Sequence, residues 1–177
     1  NIGKLVQVRE ETPSPLRGTQ MDVLPVMNNA FLLAEKGKIS AFGPMSELSQ
    51  DFARNANEVI DAAGRMVLPA FCDCHTHLVY AGSREIEFID KIRGLSYQEI
   101  AARGGGILNS ARLLHETSEE ELFRQAMVRV EEVMYFGTGA IEIKSGYGLT
   151  TEDEMKMLRV VRRIAEESPL TVKATFM

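Results

Sequence analysis

The chain has 177 residues, of which 25 are acidic and 20 are basic, giving a formal net charge of −5 at pH 7. This acidic balance supplies no positive surface for a phosphate backbone, so it argues against nucleic acid as a partner. No apolar run approaches the roughly 20 residues that cross a bilayer, so no membrane partner is expected either.

Residues 1–66 are predicted to form a small unit rich in β-strands. Its clearest signal is a hairpin, in which two apolar segments flank Glu35-Lys-Gly37 and the glycine allows the turn. Residues 10–20 carry two prolines and a glycine and are predicted to form an irregular loop. The other predicted elements are short strands over 5–8, 30–34, 38–42, 58–61 and 64–68, and a short surface helix within 45–56.

A polar motif, Cys72-Asp-Cys-His-Thr-His77, follows the approach Val67-Leu-Pro69 along a predicted strand. Side chains two positions apart on a strand point to the same side, so His75 and His77 can both reach one metal ion. Asp73 is expected on that side as well, where it would orient a ligating imidazole or hold the strand end. Because the chain has only three histidines, this pair is informative.

Other interpretations of this motif are open. Paired histidines on a strand can equally be hydrogen-bonded core residues without any metal. A structural zinc site built from Cys72, Cys74, His75 and His77 is disfavoured, because four ligands within six residues are crowded and divided between two sides. Two cysteines this close on a strand do not indicate a disulfide framework, so a reducing, cytoplasmic environment is expected.

From Pro69 onward, predicted strands alternate with amphipathic helices. Helices are predicted over 118–137 and 151–168, and strands over 138–144 and 170–176. Each helix opens with a predicted capping box, Ser118 with Glu121 and Thr151 with Glu154. This alternation indicates parallel strands, and because only three strands are present, the sequence looks like the first part of a longer barrel.

Three weaker signals receive structural interpretations. Gly104-Gly-Gly106 is predicted to be a flexible loop rather than a phosphate cradle, because no Lys-Ser or Lys-Thr follows and no helix is expected directly after it. Glu142 and Lys144 share one side of a predicted strand, which favours a structural ion pair over an acid–base pair. His115 precedes a helix cap and is expected at the surface.

Three segments in this order resemble the imidazolonepropionase family of the amidohydrolase superfamily. They are Val67 to His77 with His-Thr-His, Leu78 to Glu85 with Gly-Ser-Arg-Glu, and Glu142 to Leu149 with Lys-Ser-Gly-Tyr-Gly-Leu. The resemblance implies an α/β fold in which residues 67–177 form the first three β/α units of a TIM-like (β/α)8 barrel. It implies that residues 1–66 are part of a small β-sandwich domain.

The resemblance also implies metal-dependent hydrolysis of the cyclic amide of 4-imidazolone-5-propanoate to N-formimidoyl-L-glutamate, by a homodimer. His75 and His77 would bind one zinc or iron ion, Arg84 would hold the propionate, and Tyr147 would contact the substrate near its ring. From its position alone, Arg84 is a solvated charge paired with Glu85 or Glu87. The family's other ligands and its proton-transfer residue have no counterpart in these 177 residues, so no catalytic residue is expected and this chain alone should be inactive.

Two other functions are open. One is a different cyclic amidohydrolase or a deaminase related to guanine deaminase, against which the Arg84 and Tyr147 segments argue. The other is a non-catalytic fragment that folds only with a missing segment. The sequence does not distinguish zinc from iron, because imidazole suits both.

Overall fold

The computed structural model describes residues 1–9 and 15–177, and the chain divides into two compact units, Asn1–Pro69 and Ala70–Met177. Residues 10–14 of the predicted loop lie outside the described residues. A 3-10 turn over Gly18–Asp22 begins in its remainder. No helix among the described residues has the length and apolar character needed to cross a membrane.

The first unit is a four-stranded sheet. Its strands are β1 (Ile2–Val6), β2 (Val26–Glu35), β3 (Lys38–Pro44) and β4 (Ala62–Val67), and their order in the sheet is β3-β2-β1-β4. Strand β1 pairs antiparallel with β2 and parallel with β4, and β2 and β3 form the predicted antiparallel hairpin. The hairpin turn has positive φ values at Lys36 and Gly37, 52° and 75°, as a tight two-residue turn requires.

The core of this first unit is small, and its helical segment is short. Ile2, Leu5, Ala30 and Ala62 form the buried cluster. Helix α1 (Gln50–Asn55) begins after Ser49, whose side chain accepts a hydrogen bond from the Asp51 backbone N–H. The predicted helix within 45–56 is therefore confirmed only in its second half. The predicted strand over 58–61 is wrong, since those residues form no strand.

The second unit contains a three-stranded parallel sheet of β5 (Phe71–Thr76), β6 (Thr138–Lys144) and β7 (Thr171–Thr175), in chain order. Two long helices, α5 (Glu119–Tyr135) and α6 (Thr151–Glu167), connect successive strands. The buried core joins both helices to the two isoleucines of β6, Ile141 and Ile143. The result is a mixed α/β unit, as the alternating pattern predicts.

Three short helices between β5 and α5 are absent from the sequence prediction: α2 (Glu85–Ile92), α3 (Tyr97–Ala102) and α4 (Ile107–Glu116). Helix α3 begins with a complete capping box between Ser96 and Glu99. Helix α4 begins directly after Gly106, whose φ of 83° suits glycine. The prediction that no helix follows the triple glycine is therefore wrong.

The capping box predicted at α5 is half right, and the one predicted at α6 is wrong. At α5, the Ser118 hydroxyl accepts the Glu121 backbone N–H as expected, but the Glu121 carboxylate bonds side chains of its own helix instead of closing the box. At α6 the cap is Thr150, one residue earlier than predicted, and it accepts the Asp153 N–H. This shift frees Glu154 for other contacts.

Candidate active site

His75 and His77 lie side by side at the carboxyl end of β5. Their ring centroids are 5.8 Å apart and the ring planes are inclined by 56°. The Thr76 hydroxyl donates to the Glu142 carbonyl oxygen at 2.7 Å and fastens this end of β5 to β6. The Nδ1 atom of His77 is buried and finds no hydrogen-bond partner among the described residues. An unpaired buried nitrogen of this kind is costly, so it suits a position that a further ligand completes.

Strand β5 is irregular along the histidine motif. Its pairing with β6 slips between residues 73 and 76, so that Cys74 and His75 together stand opposite Glu142. The strict alternation that placed Asp73 beside both histidines therefore does not hold. The Asp73 carboxylate accepts the His75 backbone N–H at 3.1 Å. Of its two predicted roles, the structure gives Asp73 the one of holding the strand end.

A cavity of about 240 Å³ opens beside His77 and brings together three of the four predicted site residues, His77, Arg84 and Tyr147. The centroid of the Tyr147 ring lies 5.1 Å from that of His77. The fourth predicted residue, His75, neighbours His77 and does not line the cavity. The remaining lining residues are Tyr80, Ala81, Gly82, Ser83 and Ser110.

Tyr80 is a lining residue that the sequence analysis missed. Its ring lies 6.5 Å from that of Tyr147, and the Arg129 guanidinium stacks over it at 3.5 Å from the centroid. Arg129 also donates to the Leu78 carbonyl oxygen at 2.8 Å, which ties α5 to the segment after β5. In the sequence, Tyr80 is marked only by its place in the family-like segment from Leu78 to Glu85. Its contact with Arg129 could not be predicted, because the two residues are 49 positions apart.

Arg84 lines the cavity and also forms an ion pair with Glu87. The Glu87 carboxylate is buried and accepts the Gly106 backbone N–H at 2.8 Å. The hydrogen bond from Arg84 lowers the pKa of Glu87, and the bond to Glu87 raises the pKa of Arg84. The Arg84 side chain is 42% exposed. A guanidinium has five N–H donors in a fork, so the pair with Glu87 leaves donors free for a ligand in the cavity.

The weaker polar signals have structural roles. The predicted ion pair between Glu142 and Lys144 is confirmed, and the Thr175 hydroxyl donates to the same Glu142 carboxylate at 2.6 Å. The bonds from Lys144 and then Thr175 hold the pKa of Glu142 below its usual range. His115 is 69% exposed, as expected, and its Nδ1 lies 2.9 Å from an oxygen of buried Asp153.

The described residues contain no group of three or more His, Cys, Asp and Glu side chains arranged to hold a metal ion. Cys72 and Cys74 are free and exposed, so the structural zinc alternative gains no support. Two neighbouring imidazoles, one with an unpaired buried nitrogen, fit a partial ligand set instead. Such a set needs further ligands to become a complete metal site.

No family model matches this chain. Curated relatives do match, and they are named imidazolonepropionase. The relative from Flavobacterium johnsoniae is 55% identical over 177 residues, covering 100% of this chain and 42% of the relative. The relative from Symbiobacterium thermophilum is 44% identical over 164 residues, covering 92% and 39%. One from Pseudomonas putida is 46% identical over 149 residues, covering 84% and 36%.

Among solved structures, E. coli guanine deaminase superposes with a TM-score of 0.59 at 15% identity, covering 97% of this chain and 35% of that chain. At this identity the likeness concerns the fold alone. The chain spans about two fifths of the length of the curated relatives it matches. Along its whole length the chain is a relative of the imidazolonepropionases, similar to their N-terminal 42%, and the resemblance drawn from its motifs is confirmed.

Proposed function

We propose that this chain forms the N-terminal part of an imidazolonepropionase, which hydrolyses the ring C–N bond of 4-imidazolone-5-propanoate to give N-formimidoyl-L-glutamate. The observation that carries the proposal is the cavity in which His77, Arg84 and Tyr147 meet. Identity of 55% to an imidazolonepropionase over all 177 residues supports it. These are the three cavity positions that the family-like segments assign to metal and substrate.

The proposal extends to the fold of the longer protein. The parallel sheet β5-β6-β7 and its helices would be the first three units of a (β/α)8 barrel, over residues 67–177. The sheet of residues 1–66 would be part of a β-sandwich domain. The fold likeness to guanine deaminase supports this reading of both units.

His75 and His77 would hold a zinc or iron ion, together with ligands from other parts of the longer protein. When bound, such an ion supplies a Lewis acid that activates water for attack on the ring carbonyl. The unpaired Nδ1 of His77 supports the assignment, because a buried imidazole nitrogen without a partner is rare. Asp73 and Thr76 contribute by fixing the backbone of the strand end through the His75 N–H and the Glu142 carbonyl.

Arg84 would bind the propionate of the substrate, and Tyr147 would contact the substrate near its ring. A guanidinium and a carboxylate pair through two parallel hydrogen bonds, which fixes orientation as well as position. The ion pair with Glu87 restricts the Arg84 side chain before the ligand arrives. Correct placement of the ring relative to the reacting water is worth several kcal/mol in favourable cases. The proposal assigns no proton-transfer residue to this chain.

A guanine deaminase activity is the second candidate, supported by the fold likeness to that enzyme. Guanine offers O6 and N7 as acceptors for a guanidinium but has no carboxylate, so it forms no ion pair with Arg84. The position of Arg84 therefore favours the propionate substrate. Homodimer formation, a cytoplasmic location and the absence of nucleic-acid and membrane partners stay predictions.

The test is a direct comparison of substrates. The full-length protein, loaded with zinc or with iron, would be assayed on 4-imidazolone-5-propanoate and on guanine under the same conditions. We expect turnover of the imidazolone and none of guanine. Turnover of guanine alone would overturn the proposed function and support guanine deaminase activity instead.

A further inference from the structure

The loop between β6 and α6 is folded around a single carboxylate. Glu154 is 5% exposed, and its Oε2 accepts the Gly146 backbone N–H at 2.6 Å. Its Oε1 accepts the N–H groups of Gly148 at 2.7 Å and of Leu149 at 2.9 Å. Converging backbone N–H groups are a common way to bind an anion in proteins. Here the anion is a side chain of the next helix.

Helix α6 does not need this carboxylate for its own cap. The Thr150 hydroxyl accepts a hydrogen bond from the Asp153 N–H, and the Thr150 carbonyl oxygen accepts one from the Glu154 N–H. The Glu154 side chain points back from the first turn to the loop instead of closing the capping box. Its role therefore concerns the loop and not the start of the helix.

The loop backbone is held in uncommon conformations on both sides of Tyr147. Gly146 has a φ of 119° and Leu149 a φ of 58°, which is unusual for a residue with a branched side chain. A Cβ atom on Gly148 would lie 2.6 Å from the Glu154 backbone nitrogen. The loop therefore packs tightly against α6. Its shape depends on the hydrogen bonds to Glu154, which offset the backbone strain.

We propose that Glu154 is the positioning residue for Tyr147, fixing the loop so that the phenol ring stands beside His77 before substrate binds. The anchored N–H groups lie immediately before Tyr147, at Gly146, and immediately after it, at Gly148. Glu154 does not line the cavity beside His77, so it acts through Tyr147. The inference deepens the proposed function and rests on it where Tyr147 is taken to contact the substrate.

The first experiment compares Glu154→Gln with Glu152→Gln in the full-length protein. Gln keeps the shape of Glu154 but replaces one acceptor oxygen with an NH₂ donor, which faces the loop N–H groups. We expect kcat/KM for 4-imidazolone-5-propanoate to fall about 10- to 100-fold, the scale of a misplaced substrate contact. Glu152 is exposed in the same helical turn, and its replacement removes the same charge. We expect E152Q to keep the parental kcat/KM, and an unchanged kcat/KM in E154Q would overturn the proposal.

The second experiment separates positioning from general stability by repeating E154Q in a Tyr147→Phe background. If Glu154 acts through the phenol, its replacement should cost little more once the hydroxyl is gone, so the two effects are strongly non-additive. A loss of the same fold-change in both backgrounds would mean that Glu154 only supports the fold.

A third measurement needs no variant and keeps the inference testable if E154Q does not fold. Hydrogen exchange in the substrate-free, full-length protein should show protected amides at Gly146, Gly148 and Leu149. Rapid exchange at all three would overturn the anchoring. A parent protein that turns over neither imidazolone nor guanine would instead refute the proposed function, while this exchange result still decides whether Glu154 orders the loop.

Discussion

Arg84 forms an ion pair and also lines a cavity. From its position in the sequence, the charge is expected to pair with Glu85 or Glu87, and the pair with Glu87 is present. The same guanidinium lines the cavity beside His77. Glu87 is buried and bonded to Gly106, so it restricts Arg84 without covering it. The predicted ion pair is therefore confirmed, and substrate binding by Arg84 stays a prediction.

Replacing Arg84 tests whether its guanidinium binds the substrate. We expect Arg84→Gln to lower kcat/KM for 4-imidazolone-5-propanoate about 10- to 100-fold, since a hydrogen bond to a charged group is worth about 1.5–3 kcal/mol. Steady-state kinetics of the full-length protein measure the change. Arg162→Gln is the matched control, because Arg162 is exposed on α6 and pairs only distantly with Glu166, at 4.0 Å. Equal kinetics for the two variants would remove Arg84 from the binding site.

The histidine pair makes a prediction that does not depend on turnover. We expect His75→Ala and His77→Ala each to lose most of the metal that the full-length protein carries, because each variant lacks one of the few protein ligands that hold the ion. Elemental analysis of the purified proteins gives the readout. His115→Ala serves as the control, since His115 is largely exposed and bonded to Asp153. Parental metal content in both β5 variants would contradict the ligand assignment.

Among the secondary-structure elements, the sequence predicts best those in which a regular pattern of apolar residues continues over many positions. Strand β6 matches the predicted 138–144, and the two 17-residue helices carry continuous apolar stripes. The missed helices α2, α3 and α4 are six to ten residues long, and a triple glycine interrupts them. The Ser96–Glu99 capping box was a usable signal for α3. The slip in β5 was not predictable, because it arises from pairing with β6 and not from local composition.

The N-terminal turn of α6 should make folding stability sensitive to acid. Burial alone would raise the pKa of Asp153 and of Glu154. Hydrogen bonds from His115, Lys156 and Thr150 nevertheless hold the pKa of Asp153 below its usual range. Hydrogen bonds from Ser145 and the loop N–H groups do the same for the pKa of Glu154. A carboxyl group with a lowered folded-state pKa stabilises the fold above its unfolded pKa, which is about 4. That contribution is lost as the pH falls through the folded value.

We therefore expect the free energy of unfolding to decrease steadily from about pH 5 downward. Urea unfolding at a series of pH values measures the slope. An Asp153→Asn, Glu154→Gln double variant should be less stable at pH 7, and its free energy of unfolding should change less with pH below about 5. Glu152→Gln should behave like the parent. A double variant with the parental slope would show that other carboxyl groups control acid unfolding.

In the folded chain, the site is built from contacts that its motifs do not reveal. The motifs identified His75, His77, Arg84 and Tyr147, and three of these share one cavity. The sequence did not indicate that Tyr80 joins them under a guanidinium from α5. It also assigned Glu154 to a helix cap, although the carboxylate orders the loop of the site. The first omission involves a partner 49 positions away, and the second depends on the backbone shape of the loop over residues 146–149.

The incomplete set of metal ligands predicts that residues 1–177 alone lack hydrolase activity. A catalytic zinc site commonly has three protein ligands, and the described residues offer two neighbouring imidazoles and no larger cluster. We expect residues 1–177 expressed alone to bind zinc or iron far more weakly than the full-length protein and to show no hydrolysis of 4-imidazolone-5-propanoate. Metal titration and a turnover assay on both proteins measure this, with circular dichroism to establish that the shorter chain is folded. Hydrolysis by the folded shorter chain would show that its own side chains complete the site, and would contradict the proposal that ligands from elsewhere are required.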